Sequence, residues 1–273
     1  MDIIFNNIYD QMPKIFKEHT IDMRECSWCD PWVIGMICLK SIEYKNFRDK
    51  NLILPKNKDI LLYLKRMHFD IFMEELTYIN FLDPLNKICI NEKDNPGVHE
   101  IMHCNFRDEF NARLSSKIRK MFTGFGMSSD NEPLTTSLVG EMGNNVFDHN
   151  EGLWPTDVRG AIILAQHFPT KNKTEVVVAD PGIGFLGSLK PSNPSLKDDS
   201  EAILLGLSGV SGRVGEKRGN GLKVMQDWTL NRFDGTVRIQ SGGGLVVVDK
   251  NGKHTSSVGP ILGTLVSFVV KYN

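Results

Sequence analysis

The chain has 273 residues, 41% of them hydrophobic and 24% charged, enough apolar material for a sizeable core without disulfides or a structural metal and room for one large domain or two small ones. Lys and Arg total 32 against 33 Asp and Glu, a net charge of −1, which argues against a dedicated nucleic-acid binder. No apolar run approaches the roughly 18 residues of a membrane span, and the first residues lack the basic-then-apolar pattern of a signal peptide. The expectation is a cytoplasmic protein whose five cysteines are reduced thiols.

Taken in chain order, the first part reads as a small α/β unit. Thr20 to Met23 is strand-like, and Pro31 to Ile42 has apolar residues at helical spacing. Asn51 to Pro55 is a short strand, and Asp59 to Met67 an amphipathic helix with Ile60, Leu61, Leu64 and Met67 on one face. Residues 1–95 contain a single glycine, Gly35, and the glycines crowd the rest of the chain. That shift, with the turn-forming Asn95-Pro96-Gly97, places a boundary near residue 96. The charge-rich stretch Val98 to Phe122 reads as one long connecting helix. A helix over Pro133–Asp148 follows, then strands at 160–166 and 174–180 and a loop over 182–200. Beyond these lie a helix near 200–207, a loop over 208–219 and a helix over 220–231. A hairpin with strands at 235–240 and 244–249 and a last strand at 263–271 complete an α/β sandwich.

Three motifs in the second half can carry chemistry. The first is E-x-x-x-N-x-x-x-H, in which Glu141, Asn145 and His149 form one stripe of a helix beside an apolar stripe of Leu138, Met142 and Val146. A Glu there can orient or deprotonate a nucleophile, and an Asn oxygen is a neutral hard ligand for Mg²⁺. In the second, an apolar strand ends at Asp180 and is followed by Gly182 and Gly184. The carboxylate can accept from an exocyclic amine, and the glycines let backbone approach a ligand. The third, Arg218-Gly219-Asn220-Gly221-Leu222, opens a helix, and free N–H groups at a helix start favour phosphate. No P-loop occurs.

The three motifs in this order, followed by a strand with Gly263-Thr264, resemble the Bergerat-fold ATP-binding domain of the GHKL superfamily. The E-x-x-x-N-x-x-x-H form is most similar to anti-sigma-factor serine kinases. The resemblance covers roughly residues 105–273. It implies a two-layer α/β sandwich that binds ATP with Mg²⁺. By matched position, Glu141 would be the catalytic base and Asn145 the Mg²⁺ ligand. Asp180 would read the adenine amine, with Gly182 and Gly184 shaping the floor and Thr264, on the last strand, supporting the Asp180 end by direct or water-mediated hydrogen bonding. Arg218, Gly219, Asn220, Gly221 and Leu222 would hold the nucleotide at its phosphate end, and residues of about 185–218 would form a mobile lid.

The first part resembles a STAS-like domain through Ile21-Asp22-Met23, Asp30-Pro31, Leu52–Leu54 and Tyr63–Met67. It departs from that pattern at the phosphoacceptor: the residues after Asp30 are Pro31 and Trp32 rather than Ser, which disfavours self-phosphorylation there. The expected organisation is 1–96 STAS-like, 97–124 connecting helix and 125–273 GHKL-type. The expected function is hydrolysis of ATP or transfer of its γ-phosphate to a protein partner; a gyrase-like clamp would in addition form a homodimer with ATP. The alternative is a nucleotide-sensing switch that binds a partner according to ATP or ADP state.

Other features read as structural. Cys26-Ser-Trp-Cys29 is a lone C-x-x-C, poor evidence for zinc. His99 and His103 lie four apart but lack the H-E-x-x-H pattern. The basic cluster Arg113, Lys117, Arg119 and Lys120 alternates with acids as a solvated face does.

Overall fold

The computed structural model describes residues 1–90, 97–210 and 221–271. Short elements make up the first part: β1 (Asp2–Ile3), α1 (Ile8–Ile15), β2 (Phe16–Lys17), β3 (Thr20–Asp22), β4 (Trp28–Cys29), α2 (Pro31–Tyr44), β5 (Asn51–Ile53), α3 (Lys58–Arg66), α4 (Phe69–Glu75) and α5 (Asp83–Asn86). Strand β3 pairs antiparallel with β2 and parallel with β5, and β1 pairs parallel with β4. Asp30 starts α2: its Oδ1 accepts from the Val33 N–H at 3.0 Å, and Pro31 occupies the first turn. Nearly every residue of α2 is buried, as an α-helix apolar on all sides requires.

The remaining elements are β6 (Val98–Cys104), α6 (Arg107–Arg113), a π turn (Leu114–Ile118), α7 (Arg119–Gly124), α8 (Asn131–Asn150), β7 (Ala161–Phe168), β8 (Lys173–Asp180), α9 (Gly184–Leu189), α10 (Asp199–Leu207), α11 (Gly221–Asn231), β9 (Thr236–Asp249) and β10 (Gly252–Lys271). Five of these strands form an antiparallel sheet in the order β6-β7-β8-β10-β9.

Three expectations are corrected. The connecting helix over 97–124 is not one helix. Val98–Cys104 is an edge strand, with Cys104 opposite Ala161 and His103 opposite Ile162. Its burial alternates over Val98–Ile101 and then shifts, Met102 and Cys104 being buried after a register irregularity against β7 between His99 and Met102, a pattern that the count of charges conceals. The loop expected at 182–200 holds α9, and α10 begins within it. The hairpin expected to turn near 241–243 is one continuous strand, β9, and the turn lies at 250–251. The glycines there answer a different need. A Cβ on Gly244 would lie 2.5 Å from the Ser200 backbone nitrogen, and one on Gly242 would lie 2.5 Å from Asp199 Oδ2. They let the start of α10 rest directly on the strand.

Alternation along the strands gives the sheet two apolar faces. Ile163, Ala165, Val176, Val178, Val266 and Phe268 face α8, α10 and α11, packing with Leu138, Met142, Ile203 and Met225. Ile162, Leu164, Val177, Ala179 and Leu265 face the other way and share a core with residues of the 1–90 segment, including Trp32, Ile34 and Met36. Helix α2 lies against β7, β8 and β10. The first part is therefore a third layer on the back of the sheet.

Gly35 marks the closest approach. A Cβ added there would come within 2.7 Å of Leu265 Cδ1 and 2.9 Å of Val177 Cγ1. Polar pairs register the layers. Tyr63 Oη donates to Gln166 Oε1 at 2.7 Å, and Tyr9 Oη donates to Gln240 Oε1 at 3.0 Å. Gly35→Ala is expected to destabilise the protein by about 1–3 kcal/mol through overpacking, read as a lower urea midpoint. An unchanged midpoint would mean that the layers are less tightly joined than described.

Candidate functional site

A cleft opens at the end of β8 where that strand meets α8. Its space, open solvent at the mouth included, is about 650 Å³. Asn145, His149 and Asn150 line it from α8, Asp180 from the end of β8, Thr264 from the interior of β10 opposite it, and Gly184, Phe185 and Leu189 from the α9 side. The neighbouring Val178, Val266 and Leu222 make much of its surface apolar.

The register of the sheet fixes the acid. Asp180 is the last residue of β8, directly opposite Thr264. Gly263 makes this possible: its φ is +71°, and a Cβ there would lie 1.9 Å from the Asp180 carbonyl oxygen. Asp180 is only 6% exposed. Its Oδ1 accepts from the Gly182 N–H at 2.9 Å and from Asn150 Nδ2 at 3.1 Å. Burial pushes its carboxyl up to about 7, with these two donors pulling the other way.

The helical stripe is as spaced. Leu138, Met142 and Val146 of α8 are buried against the sheet, and Asn145 and His149 turn toward the cleft. His149 Nδ1 lies 2.9 Å from Ser188 Oγ of α9. Glu141 sits one turn further along α8 and is exposed, outside the cleft wall. It lies against the start of α11, where a Cβ on Gly221 would come 2.5 Å from Glu141 Oε2.

The structure thus brings Asn145, Asp180, Gly184, Leu222 and Thr264 to one cleft, with Glu141 and Gly221 at its edge. Gly182 lies behind the wall: a Cβ there would be 2.1 Å from Asn150 Oδ1. Arg218, Gly219 and Asn220 lie outside the described residues. Among the described residues, the Asp180 carboxylate accepts from Asn150 and the Gly182 N–H, and Thr264 stands opposite it across the β8–β10 pairing. The lid expected over 185–218 is not a plain loop, because α9 and α10 occupy much of it.

Sequence reasoning missed Asn150. Its signal was a polar residue at the last turn of an amphipathic helix, off the i, i+4 stripe. It also missed Ser241, whose Oγ accepts from the Phe185 N–H at 2.9 Å and donates to the Gly263 carbonyl at 3.2 Å, tying α9 to the β9–β10 edge of the cleft.

Away from the cleft, the other candidates are structural. Arg113 pairs with Glu109 at 2.5 Å, Lys117 with Glu100 at 3.0 Å and Arg119 with Glu132 at 3.2 Å. His99 is buried on β6, its Nδ1 bonded to the Glu100 carbonyl at 2.8 Å. Among the described residues no cluster of three or more His, Cys, Asp or Glu could hold a metal ion, and no helix is long and apolar enough to cross a membrane. Asp30 resembles Asp180: burial, and then the negative charge of Glu175, push its carboxyl up to about 6.

The sequence matches no family model and no curated protein.

The two raised carboxyls make stability fall with pH. The folded protein keeps protons that the unfolded chain releases above about pH 4, so this contribution is full below pH 4 and is lost as pH rises through about 6 for Asp30 and about 7 for Asp180. Asp180→Asn keeps an acceptor for Gly182 and Asn150 but cannot ionise. It is expected to flatten the decline of the urea midpoint between about pH 4 and 8; a decline as steep as in the wild type would contradict the burial assigned to Asp180.

Proposed function

We propose that the protein is a Mg²⁺-dependent ATP-binding protein of the GHKL type, with a Bergerat-type unit behind a STAS-like one, which hydrolyses ATP or passes its γ-phosphate to a protein partner. The observation that carries this reading is the Asp180 carboxylate. It is buried, both of its hydrogen bonds fall on Oδ1, and its residue lines an apolar cleft. That arrangement suits the amine edge of a flat base held between aliphatic walls.

The rest of the cleft fits a triphosphate. Asn145 stands on the same wall of α8 as His149, between the Asp180 end and Glu141. One neutral oxygen ligand is what Mg²⁺ takes when phosphates and waters complete its shell. Bound there, the ion would neutralise charge developing on the phosphate oxygens. Helix α11 is described from Gly221, next to Glu141, and the first turn of a helix favours a phosphate. Glu141, exposed and one turn from Asn145, would orient the attacking water or hydroxyl and accept its proton. The third layer on the back of the sheet gives an N-terminal unit a direct mechanical connection to the strands that carry Asp180 and Thr264.

Calorimetry with ATP tests this reading. Wild type is expected to bind, more tightly with Mg²⁺, and Asp180→Ala to weaken binding by about 100-fold, the scale of a lost charged hydrogen bond. Glu141→Ala is expected to keep ATP bound while lowering turnover by roughly 10²–10⁴-fold. A folded wild type that does not bind ATP would overturn the proposal.

A further inference from the structure

The side chain of Asn150 is only 3% exposed at the end of α8, and its amide is used at both ends. Nδ2 donates to the Val146 carbonyl at 2.8 Å and to Asp180 Oδ1 at 3.1 Å, and Oδ1 accepts from the Ile183 N–H at 2.9 Å. A flipped amide would face two acceptors with its oxygen and a donor with its nitrogen, so one orientation alone satisfies the site. Gly182 leaves the room for it, since a Cβ there would strike all three end atoms of the Asn150 amide within 2.4 Å.

The consequence falls on Asp180. Its Oδ1 is taken by two donors, Asn150 Nδ2 and the Gly182 N–H. Among the described residues no hydrogen bond falls on Oδ2. One of the two donors is a side chain, so the orientation of the carboxylate depends on residue 150.

We infer that Asn150 is the positioning residue for base recognition. It pins Asp180 so that Oδ2 alone is offered to the cleft, and so selects a 6-amino purine over one that lacks that amine. The inference rests on the reading of the cleft as an ATP site. A 6-amino group donates an N–H to Oδ2. With the carboxylate ionised, above about pH 7, a 6-oxo purine would set acceptor against acceptor, and a purine with no 6-substituent would leave the buried oxygen unmatched. With Asn150 gone, the carboxylate is free to turn about its last bond, and the contact that distinguishes these bases is lost.

The test is calorimetry on the full chain with Mg²⁺, comparing ATP with purine riboside triphosphate, which lacks the 6-amino group. The variants are Asn150→Leu, which keeps most of the volume, and Asn150→Ala. Wild type is expected to prefer ATP by roughly 10–100-fold, the range for a hydrogen bond to a charged group. In the variants, ATP is expected to fall to within about 3-fold of the analogue, while the affinity of the analogue itself stays nearly constant. Equal weakening of both nucleotides, or a preference that survives both substitutions, would make Asn150 a structural residue and overturn the inference. Loss of the fold in both variants, judged by circular dichroism, would do the same. A wild type that binds both nucleotides equally would overturn it while leaving the nucleotide site standing. A folded wild type that binds neither would overturn the ATP reading itself.

Discussion

Everything in this molecule hangs on a five-stranded sheet that is apolar on both faces. Successive residues of a strand point to opposite sides, and here both sets are Val, Ile, Leu and Ala in β7 and β8. Antiparallel sheets often leave one face to water. This one cannot, because Ile162, Leu164, Val177, Ala179 and Leu265 would then be bare. The N-terminal segment meets that demand. A helix without a polar side, α2, is the appropriate cover, and the lack of a side chain at Gly35 sets how close it comes.

The join between segment and sheet is not purely greasy. Glu175 is 2% exposed, its Oε1 accepting from Arg238 at 2.8 Å and from Ser267 Oγ at 2.9 Å. The guanidinium of Arg238 lies over the Phe5 ring at 4.1 Å. Apolar surface alone would let α1 and α2 slide; paired polar groups, with Tyr9 on Gln240 and Tyr63 on Gln166, are satisfied at one position only. The same economy governs the cleft, where a short chain of hydrogen bonds through Asn150 joins the end of α8, the end of β8 and the turn before α9.

Much of this was legible in the sequence because it follows local rules. Asp30 before Pro31 announces α2, the V-V-V-A-D run announces β8, and the i, i+4 spacing of Glu141, Asn145 and His149 puts them on one wall of α8. What was hidden depends on partners distant in the chain. Val98–Cys104 is a strand because β7 pairs with it, and its charges mimic a solvated helix. Gly242 and Gly244 look like a turn but accommodate the start of α10. Asn150, a lone polar residue in the last turn of α8, acquires its meaning only when Asp180, thirty positions on, is folded beside it. The back-face layer was invisible for a related reason: the strand sequences say that a second face must be covered, not which segment covers it.

The order of strands also has a kinetic side. Strands β7 and β8, and β9 and β10, pair with only short connections between them, whereas β6 reaches β7 across α6, the π turn, α7 and α8, and β10 reaches β8 across α9, α10, α11 and β9. Loop closure must be met before such a pairing gives anything back. Asp180 acquires its neighbour Thr264 in that last pairing. On a ribosome, β10 is also the last of these strands to emerge, so the cleft is complete only once β10 has paired with β8.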